Sequence, residues 1–130
     1  MKIAIATWEN RISPVFDTAR NLLIVDVEDK QEIKRREQVL VPQPMRERVQ
    51  WMKKLGIDCL ICGAITRPLY EALRSNGLLI IPYVCGDVDE ILKSYLAGQD
   101  IENQFTMPGR KRKRYRFGRL RTDYCLRYNN

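Results

Sequence analysis

The stretch that decides the fold is residues 57–98, IDCLICGAITRPLYEALRSNGLLIIPYVCGDVDEILKSYLAG. Two of its segments, Ile57 to Cys62 and Leu78 to Cys85, are short and apolar on both alternating sets of positions, as strands covered on two faces should be. Each leads into a helical pattern. Thr66 stands as N-cap of a helix running to Asn76, with Pro68 in its first turn and Gly77 just beyond its end. Asp87 with Glu90 forms a capping box for a further helix, whose Val88, Ile91, Leu92 and Tyr95 share one stripe and which Gly98 ends. Strands alternating with helices in this way predict parallel pairing through crossovers.

Working outward, Lys2 to Thr7 (KIAIAT) carries Ile3 and Ile5 on one face and Ala4 and Ala6 on the other, the pattern of a central strand. Asn21 to Glu28 (NLLIVDVE) is a second strand, and Asp29-Lys30 reads as a hairpin turn into Glu32 to Val41, the most polar of the set. The Lys34-Arg35-Arg36 run there is expected to guard a sheet edge rather than to bind a ligand. Met45, Val49 and Met52 recur at helical spacing, and Gly56 follows, so Pro44 to Leu55 is a helix. The order is β-β-β-α-β-α-β-α: a mixed five-stranded sheet with helices on both faces, a three-layer α/β/α domain.

Composition narrows the chemistry. The 130 residues fit one domain and include no histidine, so Ser-His and Cys-His catalysis and imidazole ligation of a metal are excluded. The formal charge of +7 is uneven: residues 110–130 hold nine Arg or Lys against Asp123, a net +8, leaving residues 1–109 at −1. The expectation is a globular unit over 1–104 and a basic, disordered tail over 105–130. Residues 1–10 read as a first strand and not as a secretion signal, and the longest apolar run, Leu78 to Cys85, is far too short for a membrane span. Four cysteines (Cys59, Cys62, Cys85, Cys125) without an export signal point to reduced thiols in a cytoplasm.

Ligands of open α/β sheets gather outside the carboxyl ends of the parallel strands. Three such ends occur: Thr7 to Asp17, Cys62-Gly63-Ala64-Ile65 and Cys85-Gly86-Asp87. The last two share the pattern strand, Cys, Gly, helix start. Glycine admits close backbone approach, and helix-start amides favour an anion. The competing reading is that both cysteines are buried packing residues. Cys59 and Cys62 have CxxC spacing, but three residues along a strand span about 10 Å and point to opposite faces, which rules out a redox pair. The common glycine-rich nucleotide loops are absent. In the tail, Tyr115, Phe117, Tyr124 and Tyr128 interleave with arginines, a composition suited to single-stranded nucleic acid.

Ile12-Ser13-Pro14-Val15-Phe16-Asp17-Thr18-Ala19-Arg20, running into Leu23 to Glu28, resembles the signature of the dinitrogenase iron-molybdenum cofactor biosynthesis family. Ile61 to Ile65, Val84 to Val88, Tyr95 to Gly98 and Phe105 to Gly109 match its later blocks in order. The resemblance implies a ribonuclease H-like fold without nuclease chemistry. It also implies non-covalent binding or carriage of an anionic metal-sulfur cluster, so the expected function is that of a non-enzymatic binding, carrier or scaffold protein for an iron-sulfur or molybdenum-containing cluster, with the cluster and a client metalloprotein as expected partners. Carried over, the binding face is Trp8, Arg11, Ser13, Phe16, Gly63, Ala64 and Gly86, with Cys62 and Cys85 as metal ligands. Two departures matter: no histidine is present to ligate a nitrogenase-type cofactor, and Arg110 stands where many relatives follow Met-Pro-Gly with cysteine. The alternative function is a nucleic-acid-binding or regulatory module acting through residues 110–130.

Overall fold

A computed structural model describes residues 1–108; of the tail expected over 105–130, the part from 109 onward, with the nucleic-acid role assigned to 110–130, lies outside the described residues. Strands β1 (Lys2–Trp8), β2 (Arg11–Ile12), β3 (Asn21–Glu28) and β4 (Gln31–Val39) precede helix α1 (Met45–Lys54). Strand β5 (Cys59–Ile61), helix α2 (Arg67–Ser75), strand β6 (Leu79–Ile81) and helices α3 (Val88–Leu96) and α4 (Ile101–Gln104) follow. The sheet runs β4-β3-β1-β5-β6, with β2 pairing the end of β1. β1, β5 and β6 are parallel, whereas β3 and β4 run antiparallel to their neighbours.

The two faces of β1 explain the layers. Ala4 and Ala6 face a core filled by Val49 and Met52 of α1 and Leu69 and Leu73 of α2. Ile3 and Ile5 face a second core with Val88, Ile91 and Leu92 of α3 and Ile101 of α4. Cys59 lies in the second core and Cys62 in the first, the opposite-face arrangement that period-two alternation dictates. β4 is the exposed edge strand, and its charged run lies on that edge. Arg35 there is held by Glu32, at 2.5 and 2.8 Å, and reaches Asp89 of α3 at 3.0 Å.

Three expectations need correction. The sheet has six strands, because the segment after β1 folds back as a hairpin: Glu9 (φ 50°) and Asn10 (φ 65°) take the left-handed conformations of a two-residue turn, as Asp29 and Lys30 do between β3 and β4. β5 and β6 are shorter than their apolar runs, because Gly63 and Pro82 begin turns. Finally, the body does not stop at residue 104. Helix α4, with Asp100 accepting from the Asn103 amide and Ile101 buried, carries the chain back to the sheet, where Phe105, Thr106 and Met107 hydrogen-bond to the turn after β6. A four-residue helix with one apolar anchor leaves no periodicity to read.

Candidate functional site

The carboxyl ends of β1, β5 and β6 lie side by side, and their loops are tied together by backbone bonds. The Ile12 amide donates to the Gly86 carbonyl at 3.0 Å, and the Val88 amide to Asn10 at 3.0 Å. Phe16 donates to Ala64 at 2.8 Å while Ala64 donates to Pro14 at 2.8 Å. Tyr83 donates to Gly63 at 2.8 Å, and Cys85 donates to Phe105 at 2.8 Å. The rim therefore draws on four segments: the β1–β2 hairpin with its continuation to Ala19, the turns after β5 and β6, and the strip 105–107.

Of the residues singled out in the sequence, Trp8 and Arg11 are exposed and stand opposite each other across the hairpin, and the Arg11 backbone also forms an isolated antiparallel β-bridge with that of Asp87. Ala64, Cys85 and Gly86 are half-buried on the same rim. The others point inward. Ser13 and Phe16 are buried, and Phe16 belongs to the core beneath α1 and α2. Cys62, expected to share ligand duty with Cys85, is fully enclosed in that same core, where burial pushes its thiol pKa up. The reason is the strand's alternation, which turns Cys62 to the side of Leu60. Cys59 is likewise enclosed and its thiol is pushed up to about 12 by burial. Cys85 is the accessible thiol among the described residues. No group of three Cys, His, Asp or Glu able to hold a metal ion occurs among the described residues.

Gly63 serves the chain itself. A Cβ there would stand 2.5 Å from the carbonyl oxygens of both Ser13 and Pro14, so the cradle is filled by the first loop and not left open for a ligand. Nor are the helix starts vacant. The carboxylate of Asp17 accepts from the Thr66 amide at 3.0 Å and from its hydroxyl at 2.5 Å, covering the start of α2, and Asp87 accepts from the Glu90 amide at 3.1 Å at the start of α3. Thr66 is the N-cap by position, but its hydroxyl donates outward and makes no cap bond of its own. Anion binding by these amides, the reading taken from the sequence, meets a carboxylate at both places.

Two further residues hold the rim from behind. Arg48 of α1, only 3% exposed, donates to the carbonyls of Phe16 (3.0 Å), Ala19 (3.2 Å) and Val41 (3.4 Å), and its guanidinium lies 5.4 Å from the centre of the Phe16 ring. Burial lowers its pKa, opposed by the charge of Asp17. The available signal was its place four residues before Met52, on the buried stripe of α1. Tyr83, at φ 62°, sits in the left-handed region that aromatic residues avoid, held between Gly63 and the amide of Met107 at 3.1 Å. Nothing in local sequence marks it.

A profile of the dinitrogenase iron-molybdenum cofactor family matches residues 1–98. The chain belongs to that family. The cofactor-family fold is shared with PH0822, known from its crystal structure, at TM-score 0.73 and 19% identity over 81% of this chain and 97% of that one. A solved Methanocaldococcus jannaschii protein is similar at TM-score 0.62 and 23% identity, covering 76% of this chain and 90% of its own. The apo form of the orange protein from Desulfovibrio gigas is similar at TM-score 0.60 and 18% identity, covering 75% and 88%. At these identities the likeness shows the fold alone. Comparison with curated proteins finds no match. Among the described residues of this family member, no helix is long and apolar enough to cross a membrane.

Proposed function

We propose that this protein binds an anionic metal-sulfur cluster, iron-sulfur or molybdenum-containing, as cargo, and carries it through a reducing cytoplasm to a client metalloprotein without catalysing a reaction. The observation that carries the reading is the rim at the carboxyl ends of β1, β5 and β6 in a chain of this family. There Trp8, Arg11 and Cys85 stand on loops tied to one another by backbone bonds. Trp8 supplies an apolar wall, Arg11 a fixed positive charge, and Cys85 a single soft anchor. A cluster held by one thiolate, with its remaining valences met by its own sulfides, can leave by exchange at that one position, which suits delivery better than storage.

Anaerobic reconstitution of the full chain with iron, or with molybdate and copper, in the presence of sulfide is expected to give a coloured protein. Metal should co-elute with it on gel filtration, and Arg11→Ala and Cys85→Ser should each retain less. A colourless product without metal overturns the reading. Colour that survives unchanged in the Arg11→Ala, Cys85→Ser double variant refutes the assigned rim.

A further inference from the structure

Five residues other than glycine take a positive φ among the described residues: Glu9, Asn10, Asp29, Lys30 and Tyr83. The first four make the two-residue turns of the β1–β2 and β3–β4 hairpins, where that conformation matches the twist of the strands. Tyr83, at φ 62°, belongs to no hairpin. It follows Pro82 just beyond the end of β6. A positive φ directly after proline is the third position of a type II turn, which is ordinarily left to glycine. A side chain with a Cβ crowds its own backbone there, and strained residues of this kind concentrate at functional sites.

The bonds that fix this backbone do not call for a tyrosine. The Tyr83 amide donates to the Gly63 carbonyl at 2.8 Å, and its carbonyl accepts from the Met107 amide at 3.1 Å. Glycine would make both equally well. Nor does core packing account for the ring, which is half-buried and lies outside both hydrophobic cores. Its hydroxyl donates to the Ile65 carbonyl at 3.4 Å, a long bond. The side chain therefore starts from the turn after β6, two residues before Cys85, and reaches the turn after β5, along the rim itself.

The rim needs a donor of this kind. Asp17 and Asp87 already accept from amides at the starts of α2 and α3, so an anion meets a carboxylate at both places. A phenol hydroxyl donates without bringing charge, and it can turn from a long bond with a neutral carbonyl to a shorter one with an anion. We infer that Tyr83 is a cargo-binding residue of the rim, whose hydroxyl donates to a sulfide of an anionic metal sulfide. The inference rests on the cargo reading above. The left-handed backbone sets the direction of the Cβ, and with it the line of the ring along the rim.

The test uses the full-length chain and the full-length variants Tyr83→Gly and Tyr83→Phe. Each is unfolded in urea without ligand and titrated with tetrathiomolybdate by absorption. For Tyr83→Gly, relief of the strained backbone offsets the lost side-chain contacts, so its urea midpoint should stay within about 0.5 M of the parent or rise. Its affinity for tetrathiomolybdate should nevertheless fall at least about tenfold, the scale of one hydrogen bond to a charged group. Tyr83→Phe keeps the ring and should lose about as much affinity with an unchanged midpoint. Parent-like affinity in Tyr83→Gly overturns the inference and leaves the cargo reading intact. A fall of more than about 1 M in its midpoint also overturns it, because the side chain is then a brace of the fold. Parent-like affinity in Tyr83→Phe removes the hydroxyl as donor and overturns it as well. No binding by the parent overturns the cargo reading, and the inference falls with it.

Discussion

Replacing Gly63 by alanine tests the account of the rim most directly. The added methyl would stand 2.5 Å from the Ser13 and Pro14 carbonyl oxygens and 2.9 Å from the Pro14 carbonyl carbon. Carbon–oxygen contacts settle near 3.3 Å or beyond, so the first loop must retreat by about 0.8 Å. Three bonds of 2.8 Å hold it in place: Ser13 amide to Ala6, Ala64 amide to Pro14, and Phe16 amide to Ala64. A retreat of that size stretches them to about 3.6 Å, where little hydrogen bonding survives. Losing two of them costs about 1–3 kcal/mol net, and overpacking adds about 1–3 kcal/mol. The expected destabilisation is about 3 kcal/mol, which at a slope of about 1.5 kcal/mol per molar urea moves the unfolding midpoint down by about 2 M. Gly77→Ala is the contrast: its φ is positive (89°), unlike that of Gly63, and a Cβ there meets nothing within 4 Å, so it reports backbone strain alone and should cost about 1 kcal/mol. A Gly63→Ala midpoint within about 0.3 M of the parent, or a loss no larger than that of Gly77→Ala, would refute the claim that this glycine is dictated by the approach of the first loop.

Arg48→Met removes the donor shared by the Phe16, Ala19 and Val41 carbonyls; the loss of charge-assisted bonds, partly offset by relief from burying a guanidinium, should destabilise by about 2–3 kcal/mol in chemical denaturation. No change in midpoint would mean that the loop holds itself. Iodoacetamide at pH 8, followed by mass spectrometry, should modify Cys85 at least about tenfold faster than Cys59 or Cys62, whose enclosed thiols are poorly ionised. Labelling of native Cys62 at the rate of Cys85 would contradict its place in the core. Hydrogen bonds from Lys2 and Arg35 lower the pKa values of Asp26 and Glu32 below their ordinary 3.8 and 4.5. A depressed folded pKa gives stability that is present above the unfolded value and lost as pH falls, so the unfolding midpoint should begin to drop below about pH 4.5. Arg35→Gln should make that drop shallower, and an unaltered acid profile would remove Glu32 from the account.

Much of this molecule was legible in one dimension, for identifiable reasons. Ala4 and Ala6 opposite Ile3 and Ile5 announce a strand with helices on both sides, and both cores have that composition. The Asp29-Lys30 turn, the capping by Asp87 and the segregation of Cys59 from Cys62 follow from local geometry and a period of two. The block from Ile12 to Arg20 also carried the family. What escaped was what depends on contacts distant in sequence. The β1–β2 hairpin turns on Glu9 and Asn10, a pair without the usual glycine, and α4 is too short to show a period.

The site divides along the same line. Sequence alone determined that the chain has no histidine, that its charge is parted into a −1 body and a +8 tail, and that three loops meet at one end of the sheet. These are matters of composition and of the order of elements. Only the tertiary structure decided which side chains that end presents. Strand alternation buried Cys62, while Cys85, in a turn and free of that alternation, came to the surface. Asp17 took the helix start that the sequence had offered to an anion, because it reaches Thr66 across 49 positions of chain. Arg48 and Gly63 shape the rim through carbonyls that belong to other segments. No local pattern encodes such meetings, since they exist only after the sheet has brought its carboxyl ends together.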